Sequence, residues 1–126
     1  MGVNLANLLR GYRGLISETK TLPLTTVWYE VGVVSDRVEL VLIFNNDSTN
    51  DLRIAVVEKG INPNSVQNFT ASHGFFPIPE QEWASMSVEL SIWVQPLTDG
   101  QSIYTAQFAK DPISSLYGKA YGDFNG

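Results

Sequence analysis

The chain has 126 residues, 44% hydrophobic and 11% aromatic, with no cysteine, one histidine and a formal net charge of −5. A chain of this length can bury a core without covalent staples, and the lack of cysteine removes disulfides, thiolate metal sites and thiol nucleophiles. The single histidine, His73, argues against a multi-histidine zinc site, and the acidic balance argues against nucleic acid or an anionic membrane as partner.

The charge is uneven. Residues 1–20 hold Arg10, Arg13 and Lys20 against Glu18, a net of +2, while the rest of the chain carries −7. No apolar run approaches the roughly 18–20 residues that span a bilayer. The first residues lack the pattern of a secretory signal, and Ala6 stands where a myristoylation motif needs Ser or Thr.

In chain order, residues 3–16 place Leu5, Leu8, Leu9, Tyr12 and Ile16 on one stripe of a helix, with Asn4 as N-cap. Gly11 and Gly14 weaken that helix by about 1 kcal/mol each relative to Ala, so a short helix over residues 4–10 is expected, followed by a bent or extended link. It reads either as a terminal helix packed on its own sheet or as an arm that docks on a neighbouring subunit. Thr25–Val34 and Arg37–Phe44 follow as two β-type runs separated by Ser35 and Asp36, and Leu52–Glu58 is a third. Alternation puts Val27, Tyr29, Val31 and Val33 on one face of the first run and Val38, Leu40, Leu42 and Phe44 inward on the second. Val41 and Ile43 make the second run apolar on both sides, the mark of a central, covered strand. In the third run Leu52, Ile54 and Val56 are inward.

Residues 59–85 are broken by Gly60, Pro63, Gly74, Pro77 and Pro79 and predict loops, one short strand near Val66–Ala71 and a helical turn at Pro79–Trp83. Ser87–Gln95 is a strong strand signal, Pro96–Gly100 a turn, and Gln101–Ala109 its returning partner. From Lys110 onward Tyr117, Tyr121 and Phe124 are interspersed with glycines. The whole predicts an all-β fold, an antiparallel β-sandwich or small barrel of about six to eight strands, with a short N-terminal helix or arm and an extended C-terminal tail. The corresponding division is 1–20, 21–110 and 111–126.

No catalytic, cofactor-binding or metal motif stands out, and no cofactor is expected. The turn Asn45–Asp51 resembles a calcium loop through Asp47, Thr49 and Asp51, with Glu58 at position 12, but Leu52 occupies the place of the required glycine. Asn and Asp are equally what a solvated turn uses for its own backbone. Asn46-Asp47-Ser48 and Asn68-Phe69-Thr70 fit a glycosylation acceptor pattern that is common by chance. Glu80 and Glu82 beside Trp83 have glycosidase chemistry but adjacent positions, so a helix start explains them better. His73 has no nucleophile or acid at a supporting spacing.

The aromatic residues say more. Trp28 and Trp93 are out of phase with the apolar rows of their strands, and each shares a face with polar side chains. Such an indole is covered by another part of the chain, offered to a protein partner, or used to stack a sugar. The candidate interface residues are therefore Leu5, Leu8, Leu9, Tyr12, Trp28, Trp93, Tyr117, Tyr121 and Phe124.

Taken together, MGVNLANLLRGYRGLIS, the cysteine-free acidic β core and the terminal SSLYGKAYGDFNG resemble a small bacteriophage virion protein of the capsid decoration or cement class. That resemblance implies an oligomeric β domain, often a trimer, clipped onto the major shell protein, with arm and tail gripping neighbouring subunits. The expected partners are a second copy of the chain and a capsid shell, with no nucleic acid and no membrane. The alternatives are a carbohydrate-binding β-sandwich or receptor-binding piece, with Trp28, Trp93 or Tyr104 exposed, and a phage tail or connector component.

Overall fold

The structure is a computed structural model that describes residues 9–66 and 75–110. The described residues form eight strands: β1 (Tyr12–Leu22), β2 (Tyr29–Val31), β3 (Val38–Asn45), β4 (Leu52–Val57), β5 (Phe75–Ile78), β6 (Trp83–Ser87), β7 (Ser91–Pro96) and β8 (Gln101–Lys110). They form two four-stranded sheets, sheet A in the order β1-β8-β3-β6 and sheet B in the order β2-β7-β4-β5. Every pairing is antiparallel. First pairs with last, second with seventh, third with sixth and fourth with fifth, as in one long hairpin rolled up until β8 also meets β3 and β7 also meets β4. That is the connectivity of a jelly roll, and of the two expected alternatives, sandwich or small barrel, the two antiparallel sheets fit the sandwich.

The roll corrects several expectations. Consecutive strands lie in opposite sheets except for β4 and β5. The tight turns at Ser35-Asp36 and Pro96–Gly100 therefore join sheets and do not close hairpins, and β8 pairs with β1 and β3, not with β7. The run Ser87–Gln95 is two strands, with a bend at residues 88–90 that its unbroken alternation conceals. Pro79–Trp83 forms a turn leading into β6 and no helix; Gln81 takes a positive φ of 58° there. The expected strand at Val66–Ala71 falls mostly outside the described residues, but β5 lies just beyond it, and Pro77 is accommodated because β5 is an edge strand.

The expected N-terminal helix lies largely outside the described residues, and what is described gives it no support. Leu9–Gly11 form a reverse turn closed by Tyr12 N–H donating to Leu9 O at 3.0 Å, with Gly11 at a φ of 84°. The chain is already extended at Tyr12. Residues 12–20, assigned above to an arm, belong to an eleven-residue edge strand registered on β8 from Tyr12–Lys110 to Leu22–Gln101.

The core between the sheets is aliphatic. Val41, Ile43 and Ile103 of sheet A pack with Leu52, Ile54, Ile78, Ile92 and Val94 of sheet B. As expected, β3 is an interior strand and Leu52 and Ile54 point inward, but the inner row of β3 is Val41, Ile43 and Asn45. A bulge between Val38 and Leu40 shifts the phase, so Val38 is inward while Leu40, Leu42 and Phe44 face outward. One extra residue in a strand reverses every side chain beyond it.

At one end of the sandwich the inward row finishes on amides. Asn45 is fully buried, and its Nδ2 donates to Asn50 O (2.8 Å), Ile78 O (3.1 Å) and Pro79 O (3.3 Å). Its Oδ1 accepts from Asp47 N–H (3.1 Å) and from Gln101 Nε2 (3.0 Å). Gln101 Nε2 also donates to Asp51 O (3.1 Å), and its Oε1 accepts from Leu97 N–H (2.8 Å). The two amides thus satisfy backbone at the ends of β3, β5 and β7 and just before β4.

Each group left unpaired in a buried site costs about 1–3 kcal/mol. Asn45→Ala and Gln101→Ala are each expected to lower unfolding stability by about 3 kcal/mol in urea titrations. Because the two share a hydrogen bond, the double variant is expected to lose less than the sum.

Candidate interaction surfaces

The roll gives the domain two distinct ends. Val31 and Val56 both pair with Ile92, so the connections 32–37, 58–74 and 88–90 leave from one end. Tyr12 pairs with Lys110 and Val38 with Ala109, so β1 begins and β8 finishes at that same end, called here the open end. The connections 23–28, 46–51, 79–82 and 97–100 gather at the other, polar end around Asn45 and Gln101.

Val33, Val34, Ile61 and Leu90 sit on the three open-end connections and are 42–51% exposed. Of these, Val33 and Leu90 line a cleft of about 340 Å³ together with Val31 and Ile92, flanked by Glu30 and Lys59. Gly32 contributes to its wall without any steric need for glycine, since an added Cβ would meet nothing within 4 Å. The backbone beside it is held by Gln107, whose Nε2 donates to Gly32 O (2.8 Å) while its Oε1 accepts from Val34 N–H (2.9 Å). Sequence reading found neither this cleft nor the buried role of Gln107, because the residues come from three separate connections and from β8.

Trp28 and Trp93 are inside the molecule, 5% and 9% exposed, on the outer face of sheet B with Ala55, Val57 and Phe75. Trp28 and Phe75 rings lie 5.6 Å apart, and the Arg53 guanidinium sits 5.3 Å from the centre of the Phe75 ring while donating to Gln95 Oε1 at 2.9 Å. Part of the cover comes from the β4–β5 connection. Its 3₁₀ turn, Pro63–Ser65, is capped by Asn62, and Asn64 then pairs with Trp28 as a strand would. Asn64 Oδ1 accepts from Trp28 N–H at 2.7 Å and its Nδ2 donates to Trp28 O at 2.8 Å. The signal for this was Asn62-Pro63-Asn64, a capped turn with Pro at its start. Neither indole forms a surface platform.

Among the other candidates, Leu9 is half-buried in the reverse turn and Tyr12 begins β1 with Lys110 Nζ 4.8 Å from its ring centre. Leu5, Leu8, His73, Asn68, Tyr117, Tyr121 and Phe124 lie outside the described residues. Tyr104 is half-buried on the outer face of sheet A, and Trp83 and Phe44 lie across from it. The Asp47 carboxylate is used within its own turn: Oδ1 accepts from the N–H groups of Thr49 and Asn50, both at 2.8 Å. Those two backbone bonds, Thr49 first, hold its pKa below the ordinary value of 3.8. Among the described residues no group of three or more His, Cys, Asp or Glu could hold a metal ion, and no helix is long and apolar enough to cross a membrane.

Comparison with protein-family models, with curated proteins and with solved structures finds no match to this chain.

Trp93 Nε1 is buried and has no hydrogen-bond partner among the described residues. Replacing the indole by an apolar ring removes an unsatisfied donor and keeps most of the packing, so Trp93→Phe is expected to cost less than about 1 kcal/mol, against about 3–5 kcal/mol for Trp93→Ala, by urea unfolding. Asp47 has a depressed folded pKa, so its contribution is present above the unfolded value and is lost as pH falls through the folded one. Stability measured from pH 6 down to pH 2 is expected to drop less steeply in Asp47→Asn than in the parent chain.

Proposed function

We propose that this chain is a non-enzymatic structural protein of a multi-subunit assembly, of the capsid decoration or cement type, and that its open end meets the partner. The observation that carries this reading is the exposure of Val33, Val34, Ile61 and Leu90 on the open-end connections, with Val33 and Leu90 lining one cleft there. Apolar groups scattered singly need no explanation, but a group of them on neighbouring connections marks a contact surface. The terminal segments, with Leu5 and Leu8 on one and Tyr117, Tyr121 and Phe124 on the other, are joined to the strands at that same end. Arms that exchange between copies are a low-cost route to closed oligomers. Jelly rolls occur in capsid proteins and also in lectins and cupins, so the fold agrees with this reading without selecting it. A tail or connector position in a virion would use the same surface.

The test is native mass by light scattering on the full chain and on a Val33→Asp, Leu90→Asp double variant. The full chain is expected as an oligomer whose mass is a multiple of 13.9 kDa, and the variant as a folded monomer. A parent chain that remains at 13.9 kDa at high concentration overturns the oligomer, and absence of the chain from purified particles overturns the shell assignment. Truncation to examine the arm is best stopped at residue 8, because removing residues 1–20 takes most of β1 with it.

A further inference from the structure

The outer face of sheet A is built from three rows that run across all four strands. Trp83, Phe44, Tyr104 and Thr19 form the first; Ser85, Leu42, Ala106 and Ser17 the second; Ser87, Leu40, Phe108 and Gly14 the third. An apolar strip thus runs along β3 and β8, with hydroxyl rails from β6 and β1 on either side. None of these positions is charged, although 17% of the chain is. Charge enters only toward the open end, where Lys110 stacks on Tyr12 and Glu39 occupies the bulge. Among the described residues nothing supplies a hydrogen-bond partner to the Trp83 indole N–H, the Tyr104 hydroxyl, or the hydroxyls of Ser17, Thr19, Ser85 and Ser87. Gly14 leaves space beside Phe108: its missing Cβ would stand 3.7 Å from Cε2 of that ring.

We propose that this face binds a neutral glycan chain. A sugar ring presents an apolar C–H surface edged by hydroxyls, and the face offers the complement: half-buried aromatic rings in a strip, and unpaired donors and acceptors along both margins. The absence of charge on the strip and the acidity of the rest of the chain select a neutral ligand over an anionic one. A second copy is the poorer occupant. The aliphatic centre is already covered, with Leu40 and Leu42 only 9% and 5% exposed, so docking another protein would bury little further aliphatic surface while desolvating two hydroxyl rails. This site is separate from the open end and does not depend on the assembly reading.

The experiment measures retention of the full chain on six neutral polysaccharides (β-1,4-glucan, xylan, mannan, galactan, chitin and starch), with polygalacturonate as anionic control. Retention on at least one neutral polymer is expected, weakened about tenfold or more by Trp83→Ala or Tyr104→Ala, the loss of one stacked ring, and unchanged by Trp93→Phe. The Ser17→Asp, Ser87→Asp pair, both at exposed positions, is expected to weaken retention with the apolar strip untouched, which covers the case of a ring variant that fails to fold. Retention on none of the six, retention indifferent to all of these substitutions, or retention on polygalacturonate alone overturns the proposal. So does a dimer that Trp83→Ala and Tyr104→Ala dissociate. Loss of glycan binding with an intact open-end oligomer would remove this site and leave the assembly reading standing.

Discussion

A rolled β ribbon must carry its chain from one layer to the other at nearly every connection, and each crossing leaves inward-facing backbone groups that no neighbouring strand can pair. In this protein Asn45 and Gln101 meet that demand at the polar end. Their side chains supply donors to the carbonyls of Asn50, Asp51, Ile78 and Pro79 and acceptors to the N–H groups of Asp47 and Leu97. A buried amide network stabilises only when its members are all satisfied, and the Asn45–Gln101 bond closes the set. The same device recurs on both sides of the three-residue β2, where Asn64 pairs with Trp28 and Gln107 with Gly32 and Val34. Amide side chains act here as non-covalent staples in a chain that has no cysteine.

The strands that could be read in advance are the interior ones. Alternating β-branched residues betray β3, β4, β7 and β8 because each is buried on one face and flanked by other strands. The edge strands gave weaker signals. Thr, Glu and Lys fill the second half of β1, because β2 is too short to cover it; Glu18 and Lys20 pair at 3.3 Å where longer cover would demand apolar residues. The first half, with Leu and Tyr at helical spacing, invites a helix that Gly11 and the reverse turn preclude. In β6 all but the last residue are half-buried, so no two-residue period develops. The bulge after Val38 is equally silent in sequence, since Leu40 and Val41 are both acceptable inside.

Surfaces were less legible than strands for a topological reason. Trp28 and Trp93 could be picked out as needing cover, because each is out of phase within its own segment. What covers them could not, because Asn64 is remote in sequence from both. The row Trp83, Phe44, Tyr104 and Thr19 takes one residue from each of four strands, and only the roll makes them neighbours. No local motif can announce such a face.

The two outer faces differ for the same reason. In this connectivity only β4 and β5 are joined within a sheet, so only their connection can lie back over a face without crossing between layers. Asn64 of that connection pairs with the Trp28 backbone, and sheet B there carries two indoles, a phenyl ring and an arginine in close packing. Sheet A has no internal connection of this kind. The composition of its outer face differs accordingly: aliphatic groups buried, rings half-buried, hydroxyls along both margins and no charge in the three rows. An apolar face intended only for the chain's own core has no use for unpaired hydroxyls, and a merely solvated one has no use for four aromatic rings on β3, β6 and β8. The combination is what distinguishes a recognition surface from either.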